Sequence, residues 1–258
     1  MLPIARLFGL AIQTPLLATM LGFALASSLA GREAARRGLD GNALVNALYY
    51  GLLAGVIGAR IGYVLLNLPA YERDPLGALA LNPTALLYWA GWPAAIGVAA
   101  CYLWQRRLLD RQVLDVLAPA AVVFTMGLAI GDFLSGSAFG TPSTLGWAVN
   151  LWNVSRHPVQ LYEFLALVVI LVTLMAVPRM LPGVLLDGGL ALLAVALYAL
   201  ARVFVDGFRA DVPLVLSLRV TQVAGVLIAV TALWLLREWL VPRPLSPGPV
   251  PASVEGPS

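Results

Sequence analysis

Arg156-His157-Pro158-Val159-Gln160-Leu161-Tyr162-Glu163 runs straight into Phe164-Leu165-Ala166-Leu167-Val168-Val169-Ile170-Leu171-Val172, and the change of character at Glu163 decides the fold. The first eight residues hold four strongly polar side chains and the one histidine of the chain; an unbroken apolar run follows. Pro158 suits the first turn of a helix, where the N–H that proline lacks has no helical partner anyway. A helix N-terminus offers free N–H groups and partial positive charge, which suits an anion. Arg156 adds a planar fork that matches phosphate oxygens. The stretch reads as an anion site at the rim of an apolar body.

The rest of the chain says what that body is. Of its 258 residues, 60% are hydrophobic and 11% charged, where soluble domains carry about 25% charged residues. Mean hydropathy is +0.88. A backbone in lipid must satisfy its own hydrogen bonds, so the spanning elements are helices or a closed barrel. Barrel strands alternate polar and apolar residues; long unbroken apolar blocks indicate helices instead. The expected class is all-α, a polytopic integral membrane protein. All 16 basic residues are arginine. The pI of about 9.3 fits loop arginines beside anionic lipid, and nothing points to nucleic acid. The single Cys101 lies in an apolar run, which leaves no intrachain disulfide and no cysteine metal cluster.

Seven blocks are long enough to span, at about 20 residues each: 8–30, 42–67, 84–104, 113–134, 158–177, 183–206 and 215–240. The first also has features of a signal peptide, with Arg6, an apolar stretch and a cleavage-like Ala24-Leu25-Ala26. Its length and the interruption at Gln13-Thr14-Pro15 favour a retained span. Connections on one side hold Arg32, Arg36, Arg37, Arg106, Arg107, Arg111, Arg179, Arg237 and Arg243; those on the other hold Arg6, Arg73, Arg156 and Arg209. The arginine-rich side is the cytoplasmic one, with the N-terminus outside and the C-terminus inside. Residues 1–240 form one membrane domain with outer loops at 68–83 and 135–157. The Pro-rich tail 241–258 is expected to be disordered.

Charges within spans are costly and usually face a cavity or a partner. Here they gather at the outer end: Arg60, Asp132, Glu163, Arg202, Asp206, Arg209 and Arg219. Asp115, Asp187, Arg237 and Glu238 lie toward the inner ends. A one-sided cluster argues for a polar cavity open to the outer leaflet and against an ion path through the full depth. Arg202, Asp206 and Arg209 are spaced i, i+4 and i+7, one helical face on which opposite charges pair. Each group also has a plainer reading. Arg202 and Asp206 are a structural ion pair, Arg60 locks helices through Asp132 or Glu163, and His157 is a rim histidine. The glycine run Gly51, Gly55, Gly58, Gly62 has the spacing of close helix packing.

Together these strings resemble the prolipoprotein diacylglyceryl transferase family. The resemblance runs from about residue 42 to about 230. It is carried by Gly58-Ala59-Arg60-Ile61-Gly62-Tyr63-Val64 and Leu114-Asp115-Val116-Leu117-Ala118-Pro119. It continues in Ile130-Gly131-Asp132-Phe133-Leu134-Ser135-Gly136 with Phe139-Gly140, in Arg156 to Glu163, and in Arg202-Val203-Phe204-Val205-Asp206-Gly207-Phe208-Arg209. Two departures stand out. Where the family reads Gly-Arg-Ile-Gly-Asn-Phe-x-Asn-Gly-Glu, this chain has Leu128-Ala129-Ile130-Gly131-Asp132-Phe133-Leu134-Ser135-Gly136-Ser137. Where the family has His-Gly-Gly in the third span, this chain has Tyr88-Trp89-Ala90-Gly91-Trp92-Pro93.

The resemblance implies a seven-span enzyme of the bacterial cytoplasmic membrane. Such an enzyme moves the diacylglyceryl group of phosphatidylglycerol to the lipobox cysteine of a prolipoprotein signal peptide, with both substrates drawn from membrane lipid and no metal or organic cofactor. The implied catalytic residues are His157, Arg202 and Asp206. Arg60, Asp132, Arg156, Gln160, Tyr162, Glu163 and Arg209 are the implied substrate-binding residues. Arg202 and Arg156 would hold the phosphate, Glu163 and Asp206 would orient the arginines, and Tyr162 and Gln160 would hold the glycerol headgroup. Two alternatives stay open: a relative with lost or altered lipid chemistry, and a small-solute transporter.

Overall fold

A computed structural model describes residues 4–7, 10–72, 75–79, 85–212, 214–215 and 218–240. The expected tail 241–258 and Arg73 lie outside the described residues. The chain is mainly helical. A hairpin of β1 (Ile4–Leu7) and β2 (Leu10–Gln13) leads into α1 (Thr14–Arg36), followed by α2 (Gly41–Leu66) and the short α3 (Leu68–Tyr71). A 3₁₀ turn at Pro75–Leu79 precedes α4 (Tyr88–Gln105) and α5 (Arg111–Ser135). The hairpin β3 (Val149–Leu151) and β4 (Val154–Arg156) precedes α6 (Val159–Met180) and α7 (Gly189–Asp206). The hairpin β5 (Leu214–Val215) and β6 (Leu218–Arg219) leads into α8 (Val220–Leu240).

Six of these helices, α1, α2, α5, α6, α7 and α8, are long and apolar enough to cross a bilayer. The third expected span is a helix, α4, but is not among the six. Tyr88, Trp89, Trp92 and Pro93 crowd its first turns and Gln105 ends it, which leaves a short aliphatic middle. The first span also starts later than expected. Residues 10–13 are strand, and the interruption Gln13-Thr14-Pro15 is the start of α1, with Pro15 in its first turn. Ala26, at the cleavage-like site, is buried with Ala30 and Ala120 between α1 and α5.

The helices meet through small residues and aliphatic packing. Leu167, Ile170 and Leu174 of α6, Ala118, Val122 and Ala129 of α5, and Leu190 and Ala194 of α7 form one core. A second joins α1, α2, α4 and α5 through Ala34, Leu44, Ala47, Leu103, Val113 and Val116. Large apolar side chains such as Leu21, Ile57, Leu65, Val169 and Leu227 are left exposed, as expected of surfaces facing lipid. The glycine run is a packing seam. A Cβ on Gly58 would stand 2.5 Å from Ala94 Cβ, and one on Gly55 would stand 3.1 Å from Ala95 Cβ. Gly62 meets Ala90 in the same way, so α2 and α4 touch nearly backbone to backbone.

At one end of the bundle α7 is tied to α5. The Asp115 carboxylate accepts from Gly188 N at 2.8 Å and Ala191 N at 2.9 Å, N–H groups at the start of α7. Negative charge there also opposes the helix dipole favourably. The same end carries Arg36, Arg37 and Arg179. The other end carries the C-termini of α5 and α7 and the start of α6, and holds the expected site.

Gly58→Leu is expected to cost about 1–3 kcal/mol, as overpacking does, and to lower the thermal midpoint of the protein in detergent. Gly97→Leu, on the same helix pair but with nothing within 4 Å of its Cβ, is expected to leave that midpoint nearly unchanged.

Candidate functional site

The site is built by three chain ends. Helix α5 stops at Gly136, whose φ of +80° is the left-handed value that ends helices. The chain then runs through an irregular loop and the β3–β4 hairpin to α6. This loop is stitched on both sides. Thr141 N donates to Phe208 O at 2.8 Å and Ala210 N to Phe139 O at 3.0 Å; His157 N donates to Thr141 O at 3.0 Å. Gly140 and Arg209 form a bridge, as do Pro142 and Arg156. Only glycine fits at position 140, because a Cβ there would stand 2.7 Å from Val159 Cγ2 and 2.8 Å from His157 Cβ.

That seat corrects the reading of a free helix N-terminus. Val159 N donates to His157 O at 2.9 Å, Leu161 N to Pro158 O at 2.9 Å and Tyr162 N to Pro158 O at 3.2 Å. These three N–H groups of the first turn of α6 are met by its own chain, and the loop at Gly140 covers the turn.

The charged centre lies between α6 and α7. Arg202 Nη1 donates to Glu163 Oε1 at 3.1 Å, and its Nη2 lies 2.8 Å from Asp206 Oδ1. Asp206 is wholly buried and Glu163 nearly so. Tyr198 Oη donates to the same Glu163 oxygen at 3.0 Å. Arg209 stands 3.9 Å from Asp206 Oδ1 and makes a two-point pair with Asp211, Nε to Oδ1 at 3.0 Å and Nη2 to Oδ2 at 2.8 Å. Burial works against the Arg209 charge, but the Asp211 carboxylate outweighs it and raises its pKa. Arg219 Nη1 donates to Asp206 O at 2.7 Å and also to Arg209 O, capping the end of α7 with positive charge. Asp132, half-buried at the end of α5, feels Glu163, Arg209, Asp211 and Arg202. Its carboxylate makes no hydrogen bond or ion pair among the described residues.

An aromatic flank adjoins this centre. His157 Nδ1 lies 3.2 Å from Tyr162 Oη, and Trp147 Nε1 donates to the same oxygen at 2.8 Å. The Phe208 ring is 5.1 Å from His157 and 5.9 Å from Tyr162.

Glu163, Arg202, Asp206 and Arg209 thus come together as the spacing predicts, with Asp132 beside them. Three further expected binding residues bond to backbone carbonyls of the scaffold. Arg60 does not pair with Asp132 or Glu163. Its guanidinium donates to Ala78 O at 2.9 Å, Ala85 O at 3.0 Å and Gly77 O at 2.7 Å, so it ties down the segment after α2. Gln160 Nε2 donates to Ser137 O at 2.5 Å and fixes the start of the loop. Arg156 donates to Gly140 O at 3.2 Å, with its guanidinium carbon 5.0 Å from the Phe139 ring and 6.0 Å from Trp152. It meets no carboxylate among the described residues, and its buried Nε has no hydrogen-bond partner. Sequence reasoning missed Tyr198, Asp211 and Trp147. Tyr198 stands one helical turn before Arg202, and that spacing was the available signal. Asp211 is two residues from Arg209, outside any helical pattern, and Trp147 reaches Tyr162 only through the loop.

Ala129, which stands where the family has arginine, is 3% exposed and packs in the α5–α6–α7 core. Among the described residues no group of three or more His, Cys, Asp and Glu side chains could hold a metal ion.

Residues 3–237 match the prolipoprotein diacylglyceryl transferase family. Three similar proteins carry the name phosphatidylglycerol–prolipoprotein diacylglyceryl transferase. The one from Finegoldia magna is 29% identical over 83% of this chain and 84% of its own length. The one from Azospirillum brasilense is 32% identical over 72% and 70%. The one from Streptococcus pyogenes is 27% identical over 90% and 92%. The chain belongs to the prolipoprotein diacylglyceryl transferase family.

Arg202→Gln is expected to destabilise the protein by about 3–5 kcal/mol, the usual cost of removing one partner from a buried ion pair, because Glu163 and Asp206 lose their shared cation. Thermal denaturation in detergent reads the loss. The double variant Arg202→Gln/Glu163→Gln is expected to recover part of it.

Proposed function

We propose, from membership of this family, that the chain transfers the diacylglyceryl group of phosphatidylglycerol to the lipobox cysteine thiol of a prolipoprotein. The setting we infer is a bacterial cytoplasmic membrane, crossed seven times with α4 as the third span, N-terminus outside and C-terminus inside. The observation that carries the reading is the half-buried Arg202 held by the buried carboxylates of Glu163 and Asp206, with Arg209 beside it. This group supplies two cations at one end of an apolar bundle, where a lipid phosphate would lie.

The reaction forms a bond between the thiolate sulfur and the glycerol carbon that bears the phosphate. The carbon–oxygen bond breaks and glycerol phosphate leaves with the electron pair. The thiol must lose its proton to be a nucleophile, and negative charge grows on the leaving phosphate, where fixed cations help most. Arg202 and Arg209 serve the phosphate. Glu163 and Asp206 hold Arg202 in place, and each guanidinium keeps further N–H groups beyond those bonds. Arg156, without a carboxylate partner, is a third cation for the same anion. His157 takes the thiol proton. In the tautomer whose Nδ1–H donates to Tyr162 Oη, 3.2 Å away, Nε2 is the acceptor. Tyr162 and Asp132 receive the glycerol hydroxyls; Arg60 and Gln160 act by fixing the neighbouring loops.

One observation favours a relative with altered chemistry: the position of the family arginine is filled by Ala129 inside a packed apolar core. The two readings part in two assays, rescue of cells depleted of their own transferase and mass gain of a lipobox peptide in phosphatidylglycerol liposomes. We expect rescue and transfer. We expect Arg202→Gln to lower the rate by about 10²–10³, the usual effect of losing one charge-stabilising donor. Ala129→Arg is expected to lose folded protein as well as activity, since it buries an unpaired charge. No transfer by the folded wild-type protein would sink the activity; gain of transfer by Ala129→Arg would favour a lapsed enzyme.

A further inference from the structure

The end of the bundle opposite the site holds a cavity of about 460 Å³ that the proposed chemistry does not use. It opens among α1, α5, α6 and the turn before α7. Arg36, Arg37 and Arg179 line it, with Glu33 and Asp187, and Leu174 and Leu190 are among its apolar lining.

Three features make it more than a place where arginines happen to end helices. First, Arg36 and Arg179 sit in the last turns of α1 and α6, and both line this one concave space together with Arg37. Second, their existing bonds are few. Arg36 Nη1 is 3.4 Å from Glu33, and Arg37 Nη1 is 3.7 Å from Asp115, which is itself committed to the N-terminus of α7. Among the described residues Arg179 Nη1 donates to the backbone at Met175 O, at 2.7 Å, and to no side chain, while Asp187 accepts from Gln112 at 3.1 Å. Each guanidinium has five N–H donors, so most are uncommitted. Third, the cavity pairs these donors with an aliphatic and proline-lined wall from α5, α6 and α7. Three cations against two carboxylates, over an apolar wall, match an amphiphile with an anionic head.

We propose that this cavity binds the phosphate headgroup of an anionic phospholipid. Its phosphate lies between Arg36, Arg37 and Arg179, and the first carbons of its acyl chains lie along Leu174 and Leu190. Basic pockets between membrane helices on the arginine-rich side are a recurring form of headgroup recognition. The bound lipid joins the ends of α1 and α6 far from the reacting centre.

The test is native mass spectrometry of the full chain released from detergent. It uses dioleoylphosphatidylglycerol or dioleoylphosphatidylcholine as the probe, with and without millimolar inorganic phosphate. We expect Arg36→Gln/Arg179→Gln to retain one phosphatidylglycerol fewer than the wild type, with at least a tenfold weaker retention of that lipid. Arg36→Lys/Arg179→Lys, which keeps the charge, should recover part of the retention. The choline lipid should not be held at this place, and inorganic phosphate should not displace the anionic one. Transfer activity and a single size-exclusion peak in both variants show that the fold and the other end are intact. Equal retention by wild type and the glutamine variant overturns the proposal. So does equal retention of the choline lipid, and so does displacement by inorganic phosphate, which would mark a site for the free anion.

Discussion

Everything at the functional end depends on one half-buried cation held by two buried carboxylates. Arg202 lies between Glu163 of α6 and Asp206 of its own helix, and neither carboxylate is left to water. An ion group in an apolar interior loses its hydration, and only close partners return that loss. The three groups therefore constrain one another. Glu163 fixes α6 against α7, Asp206 fixes the arginine along the helix, and Tyr198 donates to the same Glu163 oxygen as Arg202. Arg209 and Arg219 then close the C-terminal end of α7, where partial negative charge favours cations. The loop from Gly136 to Arg156 is stitched to Phe208 and Ala210 just beyond that end. Were the triad displaced, the anchor of the loop would move with it.

Much of this was legible in the sequence, for stated physical reasons. Charges in apolar runs are rare, so Glu163, Arg202 and Asp206 stood out, and the helical period put Arg202, Asp206 and Arg209 on one face. The glycine run of α2 was readable because its spacing matches a helix face. The roles of Arg60, Gln160 and Arg156 were less legible. Each is a polar side chain near the same end, and nothing in one dimension tells a ligand-holding arginine from one that caps carbonyls. Arg60 meets the oxygens of Gly77, Ala78 and Ala85, a contact set by where an irregular segment folds back. The N-terminus of α6 looked open because the covering loop is long and aperiodic, and Gly140 reveals its purpose only beside Val159.

The departures from the family pattern are filled rather than vacant. Ala129 belongs to an aliphatic core with Leu167 and Ala194. The aromatic flank of His157, Tyr162, Trp147 and Phe208 supplies a histidine from α6's approach. The span that carries one in the family has none here.

Asp115 at one end of α7 and Glu163 at the other give this helix an uncommon mechanical character. It is a strut pinned at both ends by carboxylates borne on other helices, Asp115 from α5 and Glu163 from α6. A strut so held neither tilts nor slides without breaking buried polar bonds at one end. Compliance is then left to the elements without carboxylate pins: the α2–α4 pair, which is joined by glycines and small side chains, and α8, which packs chiefly on α7 and bonds it through Gln222 Nε2 to Val203 O. Any widening of the apolar body then falls to those flanks rather than to the pinned strut.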